Sequence, residues 1–271
     1  MSQKSFFNYP VKAKEHLCGC SVFVVESPEG EQIVGRNFDY AKTGALLVHT
    51  RPKNGYASYS MVCLAHLDIT EENNRAPDKL MGKLLMLSAP YGCVEGLNEK
   101  GLCVVVLELK TEPTAQDNGK KDIITTVAVR MLLDKCSTTE EAIKMLDKYD
   151  MFSSAGKPYH FLITDINKNT VVVEWAEQKM VVLDSHYATN FQLADGKDYR
   201  VGAGHDRYEI IQRALEKSQF TLTEKDAMKL LEDVKVEWNG TWDTEWSIVY
   251  NVNKFSLKIC RNMDFNSVYE F

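Results

Sequence analysis

The chain has 271 residues, of which 44% are hydrophobic, and its formal net charge is −6 with a sequence pI near 5.6. This length and apolar content are sufficient for a large buried core. The negative charge and the lack of a basic run argue against nucleic acid as a partner, and no apolar stretch approaches the roughly 18 residues of a membrane span.

The N-terminal segment lacks the long apolar core of a secretory signal. Seven cysteines are scattered over the chain, which is not the pattern of a disulfide framework. Cys18 and Cys20 could form half of a metal site, but no Cys/His pair at ligand spacing completes it. The sequence therefore predicts a reduced, cytoplasmic protein that needs no metal or other cofactor.

Segments rich in β-branched and aromatic residues lie towards both ends of the chain, and helical patterns lie between them. The predicted strands are residues 21–26, 32–37, 60–64, 102–109, 160–165, 170–174, 180–183, 247–251 and 254–259. The predicted helices are residues 122–135, a helix from the capping box 137–140 to about residue 149, residues 207–217 and residues 224–234. This order favours an α+β fold with helices packed on antiparallel sheets.

Cys20 stands at the start of the first predicted hairpin, which turns at residues 28–30. The returning strand brings Arg36 and Asp39 back beside it. A guanidinium near a thiol favours the reactive thiolate, and a carboxylate there can hold an amine or a water. By residue type alone, Cys20 can equally be a small buried side chain and Arg36–Asp39 a structural pair.

Gly19 favours the reactive interpretation. If the bond between Gly19 and Cys20 is cut, Cys20 carries a thiol nucleophile and a free α-amine with a pKa of about 8, which can serve as the base. Glycine before the bond lets the backbone bend for attack of the thiol on the preceding carbonyl. The sequence thus predicts autocleavage at Gly19–Cys20, a leader of residues 1–19 and a single domain over residues 20–271.

An ordered set of motifs resembles the linear-amide branch of the N-terminal-nucleophile hydrolases. That branch includes bile-salt hydrolase, penicillin V acylase, the acyl-CoA:6-aminopenicillanate acyltransferase and relatives of acid ceramidase. Its cysteine followed by Gly-Arg-Asn-x-Asp reads here as Cys20 and residues 35–39. Five further motifs follow in the family's order. The Asn-Glu-Lys-Gly turn is similar to residues 96–101, and the second core hairpin is similar to residues 160–174. The Thr-Asn element is similar to residues 188–190, the late arginine to residues 206–207 and the final strands to residues 247–251.

The resemblance implies a four-layer αββα sandwich, with two antiparallel sheets between helix layers. It also implies an amidase that cleaves a small-molecule linear N-acyl amide through an acyl-thioester on Cys20. In that scheme Asn190 binds the oxyanion and Asp39 orients the α-amine. Arg36 and Arg207 polarise the site.

Two departures from bile-salt hydrolases bear on the substrate. Glu108 stands where those enzymes carry an active-site asparagine, and it is expected to support the network around Cys20 or to face solvent at a strand end. The segment between Asn190 and Arg207 is also shorter than their extended loop, which assists tetramer assembly. Both departures argue against bile salts and against that tetramer, while leaving another homo-oligomer open.

Three alternatives remain at this stage. The same acyl-enzyme could pass its acyl group to an amine, which would make the protein an acyltransferase. A catalytically idle relative could only bind acylated ligands. His160 or His205 could also act as the base of a Cys–His pair, although neither has the local signature of such proteases.

Overall fold

The computed structural model describes residues 19–69, 75–238 and 242–271, so the predicted leader lies outside the described residues apart from Gly19. The strands are β1 (Gly19–Glu26), β2 (Gln32–Ala41), β3 (Ala45–Thr50), β4 (Ser58–Cys63), β5 (Cys93–Asn98), β6 (Cys103–Glu108), β7 (Lys121–Ile124), β8 (Tyr149–Phe152), β9 (Tyr159–Thr164), β10 (Thr170–Ala176), β11 (Lys179–Asp184), β12 (Tyr187–Ala188), β13 (Asn190–Phe191), β14 (Gly202–Ala203), β15 (Glu237–Trp238), β16 (Trp242–Asn251), β17 (Ser256–Arg261) and β18 (Val268–Glu270). The α-helices are α1 (Leu80–Met86), α2 (Thr125–Lys135), α3 (Thr139–Leu146), α4 (His205–Lys217) and α5 (Glu224–Asp233).

Two antiparallel sheets carry the fold. The first has the order β12-β1-β2-β16-β17-β18, with β15 paired to β16, and the second has the order β11-β10-β9-β6-β5-β4-β3. Two small pairs stand apart from them, β13 with β14 and the parallel pair β7 with β8. Both faces of the β1–β2 hairpin are covered, one by the second sheet and the other by helices α4 and α5, which explains its nearly unbroken burial.

Three apolar clusters divide the molecule into four layers. One fills the space between the sheets and includes Val22 and Leu162. A second lies between the outer face of the second sheet and helices α2 and α3, and a third lies between the outer face of the first sheet and helices α4 and α5. The predicted αββα sandwich is therefore confirmed.

The alternation of side chains along β1 connects these layers. Val22 and Val24 point between the sheets, whereas Phe23 and Val25 face helices α4 and α5. Full burial of one such side chain contributes about 1.5–3 kcal/mol. Gly35 pairs with Phe23 across the hairpin, and a Cβ on Gly35 would stand 2.3 Å from the Phe23 ring. Glycine is therefore required there to admit the ring.

Most predicted elements are confirmed, and the differences are local. Helix α3 ends at Leu146, before the predicted residue 149, because β8 begins at Tyr149. Helix α2 begins at Thr125 because the preceding residues form β7, which pairs with β8. The capping box is shifted by one residue: Thr138 caps α3 by accepting from the Glu141 N–H, and the Glu141 carboxylate accepts from the Ser137 N–H. The sequence does not predict helix α1, strands β3, β5, β7 and β8, or the short strands β12, β13, β14, β15 and β18. Among the described residues, no helix has the length and apolar character needed to cross a membrane.

Candidate active site

The register of the β1–β2 hairpin places the predicted nucleophile. Cys20 pairs with Phe38 and Gly19 pairs with Asp39. Since side chains alternate, Cys20 and Arg36 share the face between the sheets, while Asp39 lies on the face towards α4. The hairpin thus brings Arg36 and Asp39 to Cys20, as the sequence predicts.

The Cys20 thiol is buried, with 4% of the residue exposed. Nη1 of Arg36 lies 3.5 Å from its Sγ. Burial raises the pKa of the Cys20 thiol above its ordinary value, and the guanidinium of Arg36 opposes that rise without cancelling it. The thiol is therefore held mainly protonated at neutral pH and needs a base to become a nucleophile.

Glu95, which the sequence does not single out, holds Arg36 in place from the opposite sheet. Its Oε2 forms a fully buried ion pair with Nε of Arg36 at 2.7 Å, and its Oε1 accepts from Nε1 of Trp246 at 2.5 Å. The Arg36 guanidinium also lies over the Phe38 ring, 4.7 Å from its centre. Burial raises the pKa of Glu95, while Arg36 and Trp246 favour its charged form. The signal available in the sequence was a lone charge within an apolar strand.

Asp39 lies between two partners on the other face of β2. Its Oδ2 is 3.3 Å from Nη1 of Arg207, and its Oδ1 accepts a 2.6 Å hydrogen bond from the Thr244 hydroxyl. Burial raises the pKa of Asp39, whereas Arg207 and Thr244 lower it. Gly204, which precedes α4, lets the guanidinium approach, because a Cβ there would stand 2.5 Å from Nη2 of Arg207.

Arg207 and Asn190 bind the backbone of the nucleophile. Nη1 of Arg207 donates to the Cys20 carbonyl at 2.5 Å and to the Ser21 hydroxyl at 2.7 Å. Oδ1 of Asn190 accepts from the Cys20 N–H at 2.5 Å and from Nη2 of Arg207 at 3.1 Å. Nδ2 of Asn190 donates one hydrogen bond to the Glu108 carbonyl at 2.8 Å, which leaves its second N–H for another acceptor.

A cavity of about 30 Å³ opens beside the thiol, with room for one or two waters. Its walls are mostly aromatic and apolar, and it is lined by Cys20, Phe38, Asp39, Tyr40, His66, Val94, Val106, Glu108 and Tyr159. The Glu108 carboxylate is paired with Lys110 at 3.0 Å and Lys157 at 3.4 Å. Glu108 therefore contributes to the site in two ways: its carbonyl binds Nδ2 of Asn190, and its side chain lines the cavity.

Neither histidine considered as an alternative base is turned towards the thiol. Both ring nitrogens of His160 are engaged, by Glu174 and by the Thr189 carbonyl, each at 2.8 Å. His205 stacks on Phe191 with ring centres 4.2 Å apart. In the part of the chain that is described, no cluster of three or more His, Cys, Asp or Glu side chains is placed to hold a metal ion.

Residues 20–221 match the family model for linear amide C–N hydrolases of the choloylglycine hydrolase family. Two variants of conjugated bile acid hydrolase from Clostridium perfringens are structurally similar, with 16% and 15% identity, TM-scores of 0.69 and 0.65, and coverage of 93% of this chain and 92% of theirs. Penicillin V acylase from Agrobacterium tumefaciens is 14% identical at a TM-score of 0.59, with coverage of 93% of this chain and 86% of that one. No curated protein matches the chain.

The two stacked antiparallel sheets between helix layers form an αββα sandwich, which is the fold class of the N-terminal-nucleophile hydrolases. Within that class, the chain belongs to the choloylglycine hydrolase family. It is a hydrolase that acts on linear amide C–N bonds.

Proposed function

We propose that the protein is a cysteine amidohydrolase that cleaves a small-molecule linear N-acyl amide through an acyl-thioester on Cys20. The observation that carries this proposal is the arrangement around Cys20, in which Arg36 contacts the thiol while Asn190 and Arg207 bind its backbone N–H and carbonyl. A binding protein has no need of this complete set of charged and amide groups in a buried position.

The first step is cleavage of the bond between Gly19 and Cys20. The Cys20 sulfur attacks the Gly19 carbonyl, the C–N bond breaks, and the carbonyl carbon becomes a thioester that water hydrolyses. The cleaved nitrogen takes up protons and becomes the α-amine of Cys20. In line with this step, a Cβ on Gly19 would stand 2.7 Å from Oδ2 of Asp39, so a larger residue there would press against that carboxylate.

The α-amine supplies the base that the buried thiol lacks. With a pKa of about 8 it is partly unprotonated near neutral pH, whereas the nitrogen of an intact peptide bond cannot accept the proton. Because burial raises the pKa of the Cys20 thiol, an adjacent base has a large effect on the fraction of reactive thiolate. Asp39 would orient the amine through the charge network it shares with Arg207.

The α-amine then takes the thiol proton, and the thiolate attacks the substrate carbonyl. The second N–H of Nδ2 on Asn190 would stabilise the oxyanion, and such donors contribute about 3–4 kcal/mol each. The amine product leaves with a proton, and water releases the acid from the thioester. The side chains beside the thiol are mostly aromatic and apolar, which favours an apolar group next to the scissile carbonyl, and Glu108 is a departure that disfavours bile salts.

Two measurements test this proposal together: the intact mass of the purified protein and its hydrolysis of a panel of N-acyl amides. We expect a mature chain that begins at Cys20, and loss of both processing and hydrolysis in Cys20→Ala. The matched control is Cys18→Ala, which should keep both activities. Full activity in a chain that retains residues 1–19 would overturn the amine-base mechanism. Transfer of a labelled acyl group mainly to added amines would instead assign an acyltransferase.

A further inference from the structure

His160 and Glu174 form a buried pair of ionisable side chains on neighbouring strands of the second sheet. His160 on β9 and Glu174 on β10 face each other in the core, with 0% and 1% of their side chains exposed. Nδ1 of His160 lies 2.8 Å from Oε1 of Glu174. Burying two ionisable groups is costly unless their polar atoms are all engaged. The remaining polar atoms of both side chains bind backbone groups of a single segment, residues 189–194.

That segment carries Asn190. On its N-terminal side, Nε2 of His160 is bound to the Thr189 carbonyl at 2.8 Å. On its C-terminal side, the Glu174 carboxylate accepts from the Leu193 N–H at 3.0 Å and from the Ala194 N–H at 2.7 Å. The His160–Glu174 pair therefore binds the backbone on both sides of Asn190.

The surrounding groups define which atoms donate and which accept in these hydrogen bonds. The Thr189 carbonyl can only accept, so Nε2 of His160 carries a proton. Burial raises the pKa of Glu174, but the hydrogen bonds from His160 and the two backbone N–H groups outweigh it and bring the pKa below its ordinary value. Glu174 is thus a carboxylate, and Nδ1 of His160 donates to it.

The backbone of Asn190 depends on such support because it belongs to neither of the two main sheets. It lies in β13, a strand of two residues whose pairing partner is the equally short β14. Its amide must nevertheless be placed accurately, since Oδ1 binds the Cys20 N–H and Nδ2 is anchored on Glu108. A misplacement of about 1 Å at a catalytic group can lower the rate about 100-fold.

We propose that His160 and Glu174 are positioning residues that hold Asn190 in place to bind the oxyanion. This inference rests on the proposed amidase function. Removing an oxyanion donor lowers kcat by about 10²–10³-fold, and displacing it has a smaller effect of the same kind. We therefore expect Glu174→Gln and His160→Gln to lower kcat about 10–100-fold and to change KM by less than about 3-fold.

Asp165 provides a matched control. It follows β9, is fully buried, and accepts from the backbone N–H groups of Thr139 and Asn167, each at 2.8 Å. Like Glu174, Asp165 is a buried carboxylate that binds backbone N–H groups, but the backbone that it binds does not adjoin Asn190. Asp165→Asn therefore removes a comparable carboxylate without affecting the support of Asn190. We expect it to lower the urea midpoint of unfolding about as much as Glu174→Gln, and to leave kcat within about 2-fold of wild type.

The experiment compares kcat, KM and urea midpoints of these three variants with those of the wild-type enzyme. Hydrolysis by the wild type and its loss in Cys20→Ala tests the proposed function separately. Given that activity, unchanged kcat in the Glu174 and His160 variants overturns the positioning role. An equal fall of kcat in Asp165→Asn overturns it as well. If Glu174→Gln does not fold, the kcat of His160→Gln decides.

Discussion

The hydrogen bond between Thr244 and Asp39 allows a sharp test of the charge network. Replacing Thr244 by valine keeps the side-chain volume and removes the hydroxyl, which donates to the buried Asp39 carboxylate at 2.6 Å. A hydrogen bond to a charged group contributes about 1.5–3 kcal/mol to stability. The same hydroxyl accepts from the Val236 N–H at 2.8 Å, and that neutral bond contributes about 0.5–1.5 kcal/mol more.

The pH dependence separates these two contributions. Burial raises the pKa of folded Asp39 above its value in the unfolded chain, and the Thr244 bond lowers it. A carboxyl whose pKa is raised on folding makes the protein less stable as the pH rises past the unfolded value of about 3.9. Thr244→Val raises that pKa further. Its charge-related loss of stability therefore grows as the pH rises through the folded pKa of Asp39 and disappears as the pH falls below that pKa.

The assay is urea unfolding of the wild type, Thr244→Val and Thr244→Ser at pH 7 and at about pH 4. We expect the valine variant to be less stable by about 2–4 kcal/mol at pH 7 and by about 1 kcal/mol near pH 4. Thr244→Ser keeps the hydroxyl and should stay close to the wild type at both values. A loss for the valine variant that is the same at both pH values would refute the assignment of a charged Asp39.

Three further changes probe the rest of the site. Gly19→Val should slow processing at least about 10-fold, because a Cβ at this position would stand 2.7 Å from the Asp39 carboxylate. Intact mass followed over time measures this, and processing at the wild-type rate would contradict it. Glu95→Gln should lower stability by about 3–5 kcal/mol and reduce kcat/KM, since the buried Arg36 loses its counter-charge; a wild-type urea midpoint would count against it. Gly35→Ala should cost about 1–3 kcal/mol or more by displacing Phe23, and an unchanged midpoint would argue otherwise.

The sequence was most informative where local pattern and fold agree. Strand periodicity and the turn after Glu26 predicted the β1–β2 hairpin, and its register then placed Arg36 and Asp39 beside Cys20. The position of Asn190 and Arg207 came from the resemblance to a family, since they lie far along the chain from Cys20. The structure brings these residues together around Cys20, and their catalytic roles remain predictions.

The residues that were missed depend on contacts between distant strands. Glu95 meets Arg36 across the two sheets, and Thr244 reaches Asp39 from β16. Neither pairing has a local sequence signal, because the partners come together only when the sheets assemble. The start of α2 was placed too early for a related reason: Asp122 to Ile124 pair with β8, and this tertiary pairing overrides their helical spacing.

The hydrogen bonds around the backbone of Cys20 determine what the sheet loses when the bond between Gly19 and Cys20 is cut. Pairing with β12 covers Val22 and Phe23, whereas the backbone of Cys20 on that side is bound by the side chains of Asn190 and Arg207. Cutting the chain before Cys20 would give up the pair between Gly19 and Asp39 and leave the remaining ladder of the hairpin intact. The newly formed ammonium would find the Asn190 oxygen already in place, so precursor and mature enzyme can share one sheet without refolding.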